Sequence, residues 1–179
     1  MTQNVSTQEK TAAPTFGDDL AFLKKHVEVI VLSDQTGAQQ VAVIPAYQGR
    51  IMTSTAAGAN GLSFGWVNRE LIAAGKIQPH INVYGGEDRF WIGPEGGQFS
   101  VFFAKGAKFD LEHWFTPPAI DTEPFKLVSR SSDRVLCRRE IQLTNYSGAI
   151  YLAGKRNGLC QFDVAVAGES VRRRRHQQL

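Results

Sequence analysis

The densest run of reactive side chains is Asn82-Val83-Tyr84-Gly85-Gly86-Glu87-Asp88-Arg89-Phe90-Trp91-Ile92-Gly93-Pro94-Glu95. It holds three carboxylates, one guanidinium and three aromatic rings, bounded by the glycine pairs 85–86 and 96–97. Glycine lets the backbone turn sharply and lets a ligand come close to it. A sugar needs two kinds of partner: planar polar groups for its hydroxyls and flat rings for its apolar C–H faces. On that chemistry Asn82, Tyr84, Asp88, Arg89, Trp91 and Glu95 are candidate substrate-binding residues, and Glu87 is a candidate acid/base. A plainer reading competes. On a strand, Phe90 and Trp91 point to opposite faces, so one of them belongs to a core, and Glu87 or Asp88 then serves only to pair with Arg89 or to close a turn.

Other groups extend the candidate site. His80 lies two residues from Asn82, on the same face of a strand; it is a candidate general acid, or else a structural histidine. Asp110-Leu111-Glu112-His113-Trp114 sets an imidazole beside carboxylates and an indole, so His113 and Trp114 join the substrate-binding set. The alternative is a loop with its tryptophan tucked under a sheet and its histidine in solvent. Arg50 follows Gly49 and either reaches a sugar hydroxyl or caps a strand end. Cys137 and Cys160 are the only cysteines. They make neither a disulfide framework nor a CxxC or Cys/His metal spacing, and are expected to be unpaired thiols. No metal site and no cofactor is expected. GxSxG, P-loop and HExxH motifs are absent, and Gly93–Gly97 lacks the lysine and following helix of a phosphate cradle.

These groups must be positioned by a β-rich scaffold. Thr15 or Asp18 caps a short helix running to His26, with Phe16, Leu20 and Leu23 on one face. Residues 27–32 and 40–44 form a hairpin around Asp34–Gly37. Another strand covers Tyr47 to Ser54, and Asn68–Ala74 gives one or two helical turns stopped by Gly75. Further strands are expected at Ile81–Tyr84, Arg89–Ile92, Gln98–Phe103, 125–130 and 134–143, with a long loop over 104–124. Strands at this spacing, punctuated by Gly and Pro, indicate an all-β antiparallel β-sandwich with one or two short helices. Strand 134–143 is followed by a turn at Asn145–Gly148 and only a half-formed partner at Ala149–Leu152. Its edge is therefore expected to be exposed, inviting dimerisation or aggregation.

The charge is divided. Residues 1–123 carry 9 Lys/Arg and 13 Asp/Glu, and residues 124–179 carry 11 and 4, for a net of +3 in all. The acidic body gives no support for a nucleic-acid platform. The Arg172–Arg175 run gives at most weak, salt-sensitive anion or nucleic-acid binding. The domains read as a disordered lead-in over 1–14, a β-sandwich over 15–152 and a basic, disordered tail over 153–179. No stretch approaches a membrane span and residues 1–15 lack the apolar core of a signal peptide, so a cytoplasmic protein is expected.

Gly85-Gly86-x-x-Arg89-x-Trp91-x-x-Pro94-Glu95 resembles a signature of galactose-mutarotase-like proteins. With Phe64–Asn68, Asp121–Phe125 and Gln142–Gly148, the run from about Phe16 to Gly148 is similar to the N-terminal part of an uncharacterised bacterial family within the aldose 1-epimerase superfamily. The resemblance implies a partial galactose-mutarotase-like supersandwich that binds carbohydrate on a concave face. Aldose 1-epimerases open the sugar ring with a histidine acid and a glutamate base near their C-terminus. His80 and Glu87 are the positions that role suggests here. Two departures stand out: Glu87-Asp88 occupies a place where relatives often have one residue, and the chain is expected to be truncated before the catalytic half. Carbohydrate binding is thus the expected function, as an epimerase or glycoside-active enzyme in complete form. A non-catalytic structural or interaction domain is the alternative.

Overall fold

The computed structural model describes residues 13–151 and 160–167. The lead-in up to residue 12, the Gly154–Gly158 stretch and the Arg172–Arg175 run lie outside the described residues.

The chain enters the fold through helix α1, Phe16–Lys24, and the helix begins there because Thr15 closes a capping box. The Thr15 hydroxyl accepts from the Asp18 amide, and the Asp18 carboxylate accepts from the Thr15 amide and hydroxyl. Two amides without intrahelical partners are satisfied in this way. Phe16 and Leu23 are the buried apolar positions of α1. Thr15→Ala is expected to cost about 1 kcal/mol, read as a lower urea midpoint with an unchanged slope.

Strands β1 (Ile30–Ser33), β2 (Gln40–Ile44) and β3 (Arg50–Thr55) form an antiparallel sheet in that order, with an irregularity between Ala42 and Val43. A single turn of 3-10 helix, Pro45–Tyr47, joins β2 to β3. Gln48 then takes a left-handed conformation to reverse the chain. Helix α2, Arg69–Ala74, is capped by the Asn68 side chain and ended by left-handed Gly75, as the spacing of those residues predicts.

Helix α3, Pro118–Asp121, follows the long irregular stretch 76–117. Strands β4 (Lys126–Arg130) and β5 (Arg134–Ile141) form a second antiparallel pair, and β6 (Leu143–Thr144) pairs with β7 (Ile150–Tyr151). The strands expected at 125–130 and 134–143 are therefore present, and within the expected partner Ala149–Leu152, of which Leu152 lies outside the described residues, Ile150–Tyr151 form β7.

Two expectations are corrected. The edge of β5 is not exposed: β8, Cys160–Ala167, pairs along its whole length from Arg134↔Ala167 to Ile141↔Cys160. The backbone groups of β5 on that side already have a ladder. β8 also lies inside the segment expected to be a disordered tail. Its period-two run of Cys160, Phe162, Val164 and Val166 is a strand signal that the surrounding basic residues obscure.

The strands expected at Ile81–Tyr84, Arg89–Ile92 and Gln98–Phe103 are absent. Their backbone donors go to side chains and turns instead. The Asn82 amide donates to Asp121 Oδ2 at 2.9 Å, and the Phe102 amide to Ser100 Oγ at 3.1 Å. The first bond is long-range and the second local, and each uses a backbone donor that a ladder would need.

The larger core cluster takes Ile30 and Leu32 from β1, Val43 and Ile51 from β2 and β3, Val101–Phe103 from the irregular stretch, Ile120 from α3, Phe125, and Val135, Cys137 and Ile141 from β5. A smaller one joins Leu23 of α1 to Ile44, Met52, Val67, Ile72 and Tyr84. The chain is thus a β-rich domain of mostly antiparallel strands with few, short helices. Among the described residues no helix is long and apolar enough to cross a membrane.

Candidate functional site

Glycines 85 and 86 form a corner that only glycine can make. Both have positive φ, 91° and 108°. A Cβ on Gly85 would collide with the Trp66 carbonyl, and one on Gly86 would press on the Ile51 carbonyl and the Arg50 side chain. The corner is therefore clamped between the segment carrying Trp66 and the start of β3. The Gly86 amide donates to the Trp66 carbonyl at 2.8 Å, and the Glu87 amide to the Ile51 carbonyl at 2.9 Å.

Beneath the corner sits a buried polar group. Asp121 is 2% exposed, Arg50 2% and Asn82 1%. Asp121 Oδ2 accepts from both the backbone and side-chain nitrogens of Asn82, at 2.9 and 2.8 Å. Its Oδ1 faces Arg89 Nη2 at 3.4 Å, and the same Nη2 donates to the Ile120 carbonyl at 2.9 Å. Arg50 Nη1 donates to the Gly85 carbonyl at 2.6 Å, and its guanidinium lies 5.7 Å from the centre of the Tyr84 ring. Tyr84 in turn stacks on Tyr47 with centroids 4.1 Å apart. Burial pushes the Arg50 guanidinium down to about 10, and the nearby Arg89 charge acts in the same direction. Burial lowers Arg89 too, opposed by Asp121. Burial raises the Tyr84 phenol, and the Asp121 charge adds to it.

The aromatics of the run serve the core rather than an open platform. Trp91 stacks on Phe102 at 5.0 Å, and Trp114 stacks on Phe102 at 4.5 Å. Phe90 tilts against Phe125 at 5.7 Å. Phe90, Trp91 and Trp114 are all partly buried against the larger core. Without a strand there, alternation does not separate Phe90 from Trp91, so both face inward. The Arg89 guanidinium lies 4.3 Å from the centre of the Trp91 ring, and the indole Nε1 donates to Glu95 Oε1 at 2.9 Å. Asp88 is held by its backbone to Ile51.

The candidate acid and base bond to different partners. His80 is exposed, with Nδ1 2.5 Å from the Trp114 carbonyl oxygen. Glu87 is exposed, and its Oε2 accepts from Ser54 Oγ at 2.9 Å. His113 bonds the Asp110 carboxylate at 2.5 Å on an exposed loop, and that bond holds the Asp110 carboxyl below the usual carboxylate range. Cys137 is a buried free thiol pushed up to about 11 by desolvation, which leaves it little thiolate at neutral pH. Among the described residues no group of three His, Cys, Asp or Glu side chains could hold a metal ion.

A family model described as a family of unknown function (DUF6786) matches residues 14–155. The chain belongs to that family. Neither a curated protein nor a solved structure gives a significant match. The matched span contains the glycine corner, the buried group beneath it and the whole aromatic stack.

Two residues at the corner were missed in the sequence. Trp66 is 61% exposed, and its ring edge borders Gly85. Leu62 and Phe64 are exposed on the same alternation, while Ser63 and Val67 are buried. That period of two was legible, but it points the large apolar residues outward, the reverse of the usual pattern. Asp121 had no signal, because its partners Asn82 and Arg89 lie more than thirty residues away.

Proposed function

We propose that this chain binds carbohydrate at the glycine corner, as a galactose-mutarotase-like β-sandwich whose two layers are the sheets β1–β3 and β4-β5-β8. The antiparallel pairing and the single apolar cluster fed by both sheets support the sandwich. The observation that carries the binding reading is the exposed indole of Trp66 set beside Gly85-Gly86, with the exposed Glu87 carboxylate following directly. An indole left in water next to a backbone that admits close approach offers a stacking face for a pyranose, and a carboxylate accepts from sugar hydroxyls. Trp66 therefore takes the platform role first given to Trp91 and Trp114, whose rings are engaged in the core. The reading is one of recognition: His80 and Glu87 hang on different partners, and joint acid/base action at one anomeric carbon would need both within hydrogen-bond reach of it.

Calorimetry against a panel of neutral and acidic monosaccharides tests this. Trp66→Ala is expected to weaken binding at least tenfold, about 1.4 kcal/mol, with little change in melting temperature because the ring is mostly in solvent. Equal binding by the variant, or no binding of any sugar by the native chain, overturns the proposal.

A further inference from the structure

The buried group under the corner joins two guanidiniums, Arg50 and Arg89, to one buried carboxylate: the Arg89 charge acts on Arg50, and Asp121 acts on both. Arg50 is 2% exposed, yet its Nε and Nη2 have no hydrogen-bond partner; neither has Arg89 Nε. Buried donors on a charged group are costly to leave unmade, and guanidinium edges of this kind match the two oxygens of a carboxylate. Arg89, with 22% of its side chain exposed, marks the side from which a ligand can approach.

We propose that Arg50 and Arg89 form a site for a carboxylate, and that the sugars this chain prefers are acidic ones such as uronates. The Nε–Nη2 edge of Arg50 matches the two oxygens of a planar carboxylate, whereas a phosphate monoester would bring up to two negative charges toward Asp121. The preference for acidic sugars rests on the carbohydrate reading above; the carboxylate site does not, since its argument uses only the buried arginines.

The test compares glucuronate, glucose, glucose 6-phosphate and acetate on the full chain, by calorimetry and by melting temperature at constant ionic strength. Glucuronate is expected to bind roughly ten- to a hundredfold more tightly than glucose, the range for a hydrogen bond to a charged group. It should also raise the melting temperature by about 5 °C at a hundredfold excess over Kd. Both effects should vanish in Arg89→Gln, chosen because its side chain is partly exposed and the variant is the more apt to fold; Arg50→Lys is the second variant and should lose most of the preference. Equal affinity for glucuronate and glucose overturns the carboxylate site while leaving carbohydrate binding standing. Saturable stabilisation by acetate that needs Arg89, with no sugar bound, supports the site and removes the sugar reading. Tighter binding of glucose 6-phosphate than of glucuronate, or an undiminished preference in Arg89→Gln, overturns the proposal, as does the absence of any response to glucuronate and acetate.

Discussion

Phe102→Ala is expected to lower the stability of the chain by about 3–5 kcal/mol, a fall in melting temperature on the order of 10 °C. Phe102 is fully buried, with Trp91 stacked at 5.0 Å and Trp114 at 4.5 Å. Deleting the ring removes its burial and leaves a cavity between two indoles that are themselves tied down. Trp91 is fixed through Glu95, and the Trp114 indole donates to Thr116 Oγ1 at 3.2 Å, so neither can simply collapse inward. Phe102→Leu should cost less, because most of the volume is kept. Urea denaturation of the two variants measures both. A loss below about 1 kcal/mol for the alanine variant would mean that the three-ring stack is not a core element.

Asp121→Ala should be of similar size, about 3–5 kcal/mol. Asp121 is buried and accepts from Asn82 twice while facing Arg89. Removing it leaves the buried Arg50 and the partly exposed Arg89 guanidiniums without their shared counter-charge and strips the Asn82 amide of its acceptor. Asp121→Asn keeps the shape and part of the hydrogen bonding, so it separates charge from geometry and should cost less. Combining Asp121→Asn with Arg89→Gln should recover part of the loss, because the second change removes one of the stranded charges. A double-mutant cycle by urea denaturation reads that coupling, expected between 0.5 and about 3 kcal/mol. Strict additivity would show that Arg89 and Asp121 are neighbours without energetic consequence.

The parts of the fold that sequence reveals are those written in local chemistry. Thr15 and Asp18 announce α1, Asn68 and Gly75 bracket α2, and the β-branched run through Ile30 with its return at Gln40 makes the first hairpin. What stays hidden depends on partners far along the chain. Ile81–Tyr84 looks like a strand, yet Asn82 gives its amide to an aspartate 39 residues later. Arg89 and Trp91 look like a sugar grip, yet Arg89 turns to Ile120 and Asp121, and Trp91 to Phe102. The glycine corner itself was legible, because Gly85-Gly86 is a pair that no other residue type could replace. Its exposed neighbour was not, since nothing in Phe64-Gly65-Trp66 says which of its rings face water.

The larger apolar cluster draws on β1, β2 and β3 as well as on β5, and backbone bonds tie the first sheet and its connecting turn to segments flanking β4 and β5. The Ser33 amide donates to the Ser132 carbonyl at 2.8 Å, and the Phe125 amide to the Pro45 carbonyl at 2.9 Å. Separating β1–β3 from β5 would expose part of that shared cluster to water. The described part of the chain is consequently expected to open as one unit at this seam, so that the amides of β2 and β5 exchange with solvent deuterons at one common rate rather than at two independent ones.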